Sequence, residues 1–431
     1  MLLTIAVLLG VFFVLVMLGV PIAVSIALAT VSTLMLSLPA DVALTTFAQR
    51  IAAGLDSFTL LAIPFFVISG YLMGRGGIAR RLIEAAKGLV GTLPGGLALV
   101  NTISCMLFGS ISGSAVAATS AIGTFMIPTM EDEGYDREFS TSVTIAGSIL
   151  GLLIPPSNVL IVYAVAAGSV SIAALFMAGY VPGLLAGGLL MLVAAIYSHQ
   201  KGYPRAGRIP MRAALRKLAD AAPSIAMVVI VVGGIIAGIF TATEASAIAV
   251  IYALVLSLIY REIRISDLPS ILLKSIETTA MVLLLIGVST GMAWVLAYGN
   301  IPQAISDAML GISDNPIVIL LLINIILLVV GAFLDITPAI LIFTPIFLPV
   351  AMQMGMTPLH FGIMLVLNLS IGLCTPPVGS VLFVGCAVGD TTIQQLVRPM
   401  LLLYGALIVA LLLVTYIPVL SEGLPALAGL T

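Results

Sequence analysis

Apolar runs recur from one end of the chain to the other: Leu2 to Met17, Ile22 to Leu38, Leu184 to Tyr197, Ile225 to Phe240, Ile317 to Ala332 and Met400 to Ile417. A helix crosses a hydrocarbon layer in about 20 residues, and the shorter runs approach that length through flanking Gly and Ser. The pattern predicts an all-α integral membrane protein. Composition agrees, since 61% of the 431 residues are hydrophobic and 8% are charged, against roughly 25% charged in a soluble domain. The first run has no basic segment before it and further spans follow at once, so it reads as a span and not as a signal peptide. A net charge of −2 argues against nucleic acid as a partner. Cys105, Cys374 and Cys386 lie in apolar runs without metal-ligand spacing and read as buried thiols.

Lys and Arg gather in few places: Arg75, Arg80, Arg81 and Lys87; Lys201, Arg205, Arg208, Arg212, Arg216 and Lys217; Arg261, Arg264 and Lys274. By the positive-inside rule these three loops face the cytoplasm. The connections at 166–172, 297–316 and 352–360 and the tail after 418 carry no Lys or Arg, which assigns them to the outside. Threading the chain through these constraints gives an external N-terminus, about five crossings, a basic cytoplasmic linker over 201–221, about five more crossings and an external C-terminus. Arg50 is the one basic residue left outside. An odd number of crossings per half inverts the second half relative to the first.

Sliding the sequence on itself by 221 residues aligns Pro128 with Pro349, Gly134 with Gly355, Gly151 with Gly372, Pro155-Pro156 with Pro376-Pro377 and Gly168 with Gly389, without a gap. The same shift pairs Gly70 with Gly291 and Asp56 with Glu277. Two repeats follow, 1–200 and 222–431. Inverted repeats are the design of many secondary carriers, with substrate and ion sites near the membrane midplane where the repeats meet.

The helical pattern breaks at matching places in the two halves. One is a short polar run, Gly109 to Ser114 and then Gly331 to Pro338, which reads as the tip of a re-entrant hairpin. Its arms, Leu97 to Leu107 with Ala115 to Pro128 and Ile319 to Val330 with Ala339 to Pro349, look too short or broken to cross. The other is Gly151 to Asn158 and Gly372 to Gly379, where paired prolines remove two amide donors and clash with the preceding turn, so the helix must unwind. Carbonyls freed at membrane depth are tolerated only where protein or a water-filled cavity satisfies them.

A sodium ion can exchange its water for such carbonyls, here at Gly113, Pro155, Gly372, Pro376 and Gly379, with side-chain oxygens of Ser112, Ser114, Ser157, Asn158, Thr337 and Thr375. One Ser or Thr alone more often makes a packing hydrogen bond; the clustering at paired breaks favours ligands. Asp335 is a carboxylate inside a membrane segment, a costly placement that is usually functional, but it also stands where it can cap the following helix; both readings stay open. Ser114, Asn158 and Thr375 are in addition assigned to the substrate. Glu244 reads as part of a cap with Thr241, His360 as a satisfied interfacial histidine and Trp294 as an aromatic-belt residue. No phosphate loop or catalytic constellation is present in the sequence, so the chain is read as no enzyme and as needing no cofactor beyond sodium as coupling ion.

Six runs together carry a resemblance: Ser112 to Ala117, Leu153 to Ser157, Ala178 to Gly183, Gly238 to Ala245, Phe333 to Ala339 and Leu367 to Gly379. Along essentially its whole length the chain resembles the large membrane subunit of the tripartite ATP-independent periplasmic (TRAP) transporters. The resemblance implies a sodium-driven importer of the ion-transporter superfamily, an elevator with two helical hairpins in a mobile domain, set in the bacterial inner membrane and its lipid. It implies two partners, a small four-helix membrane subunit and a periplasmic binding protein that delivers a small-molecule carboxylate. It also places sodium at the two hairpin tips and the two unwound helices. Ala242 departs from the Pro that relatives often carry, which touches a cap, and Asn158 is a position that varies. A second reading is a stand-alone sodium- or proton-coupled carboxylate carrier without a binding protein; a channel or scaffold is a third.

The charge pattern makes a test of its own. A reporter fused after residue 210 is expected in the cytoplasm and one after Thr431 in the periplasm; both on one side would rule out the inverted arrangement.

Overall fold

The computed structural model describes residues 2–91, 93–168, 170–204 and 211–430. Arg205 and Arg208 of the basic linker and the terminal Thr431 lie outside the described residues. The described chain is helical throughout. Its first part holds α1 (Leu2–Met17), α2 (Ile22–Leu34), α3 (Ala40–Leu55), α4 (Ala62–Arg75), α5 (Ile78–Val90), α6 (Gly96–Ser112), α7 (Ala115–Asp132), α8 (Arg137–Ser148), α9 (Asn158–Ala167) and α10 (Ile172–Lys201). The second holds α11 (Met211–Ile236), α12 (Ala242–Ile259), α13 (Leu268–Tyr298), α14 (Ile301–Leu310), α15 (Pro316–Phe333), α16 (Ile336–Gln353), α17 (Pro358–Leu373), α18 (Ser380–Gly389), α19 (Ile393–Tyr416) and α20 (Val419–Leu427).

These helices fall in register at the offset of 221 seen in the sequence. Displaced by that amount, α7 lands on 336–353, the bounds of α16, and α6, α8 and α9 land on α15, α17 and α18 within a few residues. The helices α1 and α2 fall on α11 and α12, while α3 and α4 both fall within the reach of the single long α13 and its approach. Within the basic segment 201–221, α10 runs to Lys201 and helix is present again from Met211.

Eight helices among the described residues are long and apolar enough to cross a membrane, and several shorter apolar helices accompany them. Both α15 and α16 are among the eight, which corrects the expectation that the arms of the second hairpin are too short or broken. Pro345 and Pro349 sit inside α16, as Pro128 sits inside α7, without ending the helix. Proline is tolerated in a membrane helix where neighbouring groups take up the carbonyls it leaves, and α16 is buried over most of its length.

Where paired prolines stand, the helix does break. The helix α8 gives way to a 3-10 turn over Ile149–Leu152 and the chain resumes as α9 at Asn158, while α17 ends at Leu373 and α18 begins at Ser380. The two helices before these breaks form the centre of the molecule, with α8 buried from Phe139 to Ser148 and α17 from Leu359 to Leu373. Hydroxyls keep so polar a helix as α8 buried: Ser140, Thr141, Ser142, Thr144 and Ser148 each donate to the carbonyl four residues earlier, so none is left unpaired in an apolar setting.

The arms meet the breaks backbone to backbone. A Cβ on Gly151 would stand 2.5 Å from the Cα of Gly109, and one on Gly372 would stand 2.5 Å from the Cα of Gly331. Only glycine at these positions lets α6 and α15 lie against the unwound segments.

Contacts among the basic segments agree with a common side for them. Lys217 of α11 pairs with Glu84 of α5 at 2.7 Å, Arg75 reaches Ser270 at 2.8 Å, and the Arg81 guanidinium stacks 3.4 Å from the centre of the Tyr260 ring. Arg50, the odd cation of the loop pattern, lies 5.0 Å from the centre of the Trp294 ring, an attraction to the ring face that steadies a charge beside apolar surface.

Gly151→Ala is expected to destabilise the protein by about 1–3 kcal/mol or more through overpacking. Gly188→Ala, with nothing within 4 Å of the new Cβ, should leave thermal unfolding in detergent unchanged or slightly higher. Equal midpoints for both variants would show that the backbone contact is dispensable.

Candidate functional site

A cavity of about 490 Å³ opens where the two hairpin tips meet the first break. The first hairpin supplies Ser112, Gly113 and Ser114, the first break supplies Leu152 and Asn158, and the second hairpin tip supplies Asp335, Ile336 and Thr337. Residues far apart in the sequence thus share one space.

Gly113 makes the first tip possible. It ends α6 with a φ of +63°, in the left-handed region, and a Cβ there would lie 2.6 Å from Nδ2 of Asn158. The bare backbone turns and receives the Asn158 amide in one step. Ser114 then starts α7: its Oγ accepts from the Ala117 amide at 3.2 Å, a side-chain cap. The hydroxyl of Ser112 lies 3.3 Å from the Ser114 carbonyl, to which it donates.

At the second tip Asp335 occupies the residue before α16, but its side chain makes no capping hydrogen bond. Among the described residues it forms no ion pair, and it is exposed to the cavity it lines. Asp335 thus stands at the N-cap position of α16, and both readings of this residue stay open. Glu244, by contrast, completes a capping box with Thr241: its carboxylate accepts from the Thr241 amide at 2.8 Å. His360 is buried with Nε2 2.8 Å from the Val414 carbonyl.

Other expected site residues stand outside this cavity. Pro155, Ser157, Gly372, Thr375, Pro376 and Gly379 do not line it. Ser157 is fully buried and donates to the Leu152 carbonyl, and Thr375 donates to the Ile371 carbonyl at 2.8 Å. In the second break the amides of Val378 and Gly379 both donate to the Ala332 carbonyl, at 3.2 and 3.3 Å, tying the break to its hairpin. The Cys374 carbonyl accepts from the Tyr404 hydroxyl. At the corresponding place in the first half the Leu153 carbonyl packs directly over Gly179 of α10. At the breaks the carbonyls of Leu152, Ile371 and Cys374 therefore have hydroxyl partners inside the protein. The two breaks also differ in exposure: 151–157 is buried, whereas Pro376, Pro377 and Val378 are exposed.

Helix ends give the cavity its electrostatic character. The N-termini of α7 (Ala115 to Ala117), α9 (Asn158 and Val159) and α16 (Ile336 and Thr337) all line it, and so do the C-terminal ends of α6 at Ser112, of the 3-10 turn at Leu152 and of α17 at Leu373. Amide-bearing ends carry partial positive charge and suit an anion; carbonyl-bearing ends carry partial negative charge and suit a cation. Both kinds of end in one space allow an anionic solute and a cation to be held together.

The remaining wall was not singled out in the sequence. It comes from α4 with Gly70, Tyr71, Gly74 and Arg75, and from α13 with Thr278. Gly70 lets α4 approach the hairpin tip, since a Cβ there would be 2.9 Å from the Ser112 carbonyl oxygen. The sequence signals on this wall were the 221 offset, which pairs Gly70 with Gly291, and the place of Arg75 in a basic cluster. Tyr71 and Thr278 share a hydrogen bond of 3.0 Å between hydroxyls, for which the sequence held no cue.

Comparison with known proteins bears on this arrangement. Residues 9–420 match the family described as "Tripartite ATP-independent periplasmic transporter, DctM component". The chain is 53% identical to the protein YgiK of Salmonella typhimurium, over 98% of this chain and 97% of that one. It is 36% identical to the C4-dicarboxylate TRAP transporter large permease protein DctM of Rhodobacter capsulatus, over 98% of each. The crystal structure of the YdaH transporter of Alcanivorax borkumensis shares the fold, with a TM-score of 0.58 at 14% identity, over 88% of this chain and 89% of that one. An all-helical multi-pass membrane protein with two hairpin tips converging on broken helices, matched to one family over nearly its whole length, belongs to the DctM component of the tripartite ATP-independent periplasmic transporters.

Proposed function

We propose that this chain is the permease of a sodium-coupled importer that moves a small organic acid, a dicarboxylate, sugar acid or similar carboxylate, across the bacterial inner membrane. The observation that carries the reading is the cavity on which three helix N-termini and three C-terminal ends converge beside Asp335. Half-helix N-termini pointing at an anionic substrate, with carbonyl ends around a coupling ion, are the recurring solution of carriers built from broken helices. The C4-dicarboxylate name of the Rhodobacter relative supports a carboxylate.

Sodium is held in this reading by carbonyls of the helix ends with Ser112, Asn158, Asp335 and Thr337, and substrate by Ser114 and Asn158 near the N-termini of α7 and α9. Ions occupying the second break, at Gly372, Thr375, Pro376 and Gly379, complete the symmetric arrangement. Both ligands draw the tips toward the first break, so each raises the affinity of the other by the same factor, a coupling of about 1–3 kcal/mol. The two parts, 1–200 and 222–431, form an inverted repeat around the linker 201–221, with both termini periplasmic; the register of helix ends at 221 supports the repeat. The hairpins with their breaks move as an elevator against the wall formed by α4 and α13, where Gly70 offers a smooth face to the tip. A small four-helix membrane subunit steadies that wall and a periplasmic binding protein delivers the acid.

Asp335→Asn is expected to raise the sodium concentration for half-maximal uptake about tenfold or more, equivalent to about 1.4 kcal/mol, in proteoliposomes holding the complete transporter with saturated binding protein. Ser114→Ala should raise it less and cost about 0.5–2 kcal/mol of stability through the lost cap. Unchanged sodium dependence in both variants would move the ion site elsewhere.

Uptake by the chain with its small subunit alone should be negligible until the binding protein is added. Vigorous uptake of free acid without that protein would establish a stand-alone carrier instead.

A further inference from the structure

Among the described residues lining the cavity, Arg75 is the one cation and Asp335 the one carboxylate. Several other basic side chains are engaged, Lys87 and Lys217 with Glu84, Arg137 with Glu131 and Asp390, Lys201 with Asp136, while those that form no ion pair among the described residues, such as Arg80, Arg261, Arg264, Lys274 and Arg398, do not line the cavity. Arg50 and Arg81 lie over aromatic rings. Arg75 takes part in none of the ion pairs among the described residues, and it is exposed. A basic residue in the last turn of a helix gains from the dipole there, but that gain is available at any rotamer and does not require the cavity.

The guanidinium is held in place. Its Nη1 donates to Ser270 Oγ at 2.8 Å, and the Ser270 hydroxyl in turn donates to the Asp267 carbonyl at 2.8 Å. One turn back along α4 the Tyr71 and Thr278 hydroxyls bridge the same two helices. Two hydroxyl contacts thus fix the seam of α4 and α13 and aim one side chain. Gly74 beside it leaves the way open, since a Cβ there would meet only Phe108, at 3.6 Å. Of five N–H donors on an arginine, Ser270 uses one, so a fork remains that matches a carboxylate or sulfonate.

We infer that Arg75 is a substrate-binding residue, the anion-selecting group at the mouth of the cavity, which receives the acidic head of the solute as it leaves the hairpin tips. This rests on the organic-acid reading above and deepens it. The basic segment that begins at Arg75 faces the cytoplasm by the charge pattern, so Arg75 serves release. Neutral solutes gain nothing there, and Arg75 with Asp335 gives the cavity a cationic and an anionic side while leaving its sum near neutral.

The test is the thermal unfolding midpoint of the full-length chain in detergent, with choline or sodium chloride and then with succinate, N-acetylneuraminate or isethionate added. In the wild-type chain sodium raises the midpoint, and at least one of the three anions raises it by about 2 °C or more beyond that. Arg75→Gln should lose the anion-dependent rise and keep the sodium-dependent one, and Arg75→Lys should keep part of the anion rise. An anion rise that survives in Arg75→Gln, or no rise from any of the three anions in the wild type, overturns the proposal. So does loss of the sodium rise together with the anion rise in Arg75→Gln, because that marks a structural role. Absence of a sodium rise in the wild type with the anion rise intact counts against sodium coupling and leaves the role of Arg75 standing.

Discussion

Everything at the centre of this protein depends on backbone lying directly against backbone. Gly109 meets Gly151 and Gly331 meets Gly372 at distances that admit no side chain. Each pair presses one arm of a hairpin onto the helix end just before a proline doublet. Because the arm is seated there, the tip that follows it three or four residues later is delivered to the break. Small residues at helix interfaces allow such approach in a bilayer, where packing and hydrogen bonds replace the hydrophobic drive.

That seating also bears on how the polar groups of the breaks are satisfied. Proline doublets leave carbonyls without amide partners, and at membrane depth each unsatisfied group costs several kcal/mol. The chain meets part of this cost internally. Ser157, Thr375 and Tyr404 donate to carbonyls of the two breaks, and the Ala332 carbonyl takes the amides of Val378 and Gly379. The tip hydroxyls, the Asn158 amide and the carboxylate of Asp335 line the cavity. A clear division follows between polar residues that close the breaks and those that line the space between the tips. The two halves divide the work differently, since Gly179 of α10 gives room to the Leu153 carbonyl while Tyr404 of α19 reaches the Cys374 carbonyl. A repeat that is regular in its helix ends can thus build one enclosed break and one exposed break.

The cavity in turn joins parts of unequal character. Its polar tips are carried on hairpins packed around the buried α8 and α17, whereas its far wall is a pair of helices bridged by hydroxyls. Hydrogen bonds along that wall orient Arg75, and glycine on α4 keeps the contact with the tip free of side-chain interlocking. A surface of this kind interlocks less than interdigitated side chains do.

The sequence by itself determined the class, the helical breaks and the identity of the cavity's tip residues. Apolar run length, the placement of Lys and Arg and the shift of 221 are local or periodic properties, and a bilayer leaves the backbone few alternatives to helices. Proline doublets break helices wherever they stand, so Gly151 to Asn158 and Gly372 to Gly379 were legible as breaks; of the residues grouped with them in one site, Ser112, Gly113, Ser114, Asn158, Asp335 and Thr337 line the cavity, and Pro155, Ser157, Gly372, Thr375, Pro376 and Gly379 do not. Only the tertiary structure decided that Ser157 and Thr375 satisfy carbonyls of the breaks and that both arms of the second hairpin are full-length helices. Only it brought Tyr71, Arg75 and Thr278 to the cavity. For Tyr71, Arg75 and Thr278 the physical reason is that the partner of a hydroxyl or a guanidinium is set by which helix faces it across space, and neither composition nor period encodes that facing; for Ser157 and Thr375 it is that the local backbone path at the break decides which carbonyl of their own segment lies within reach.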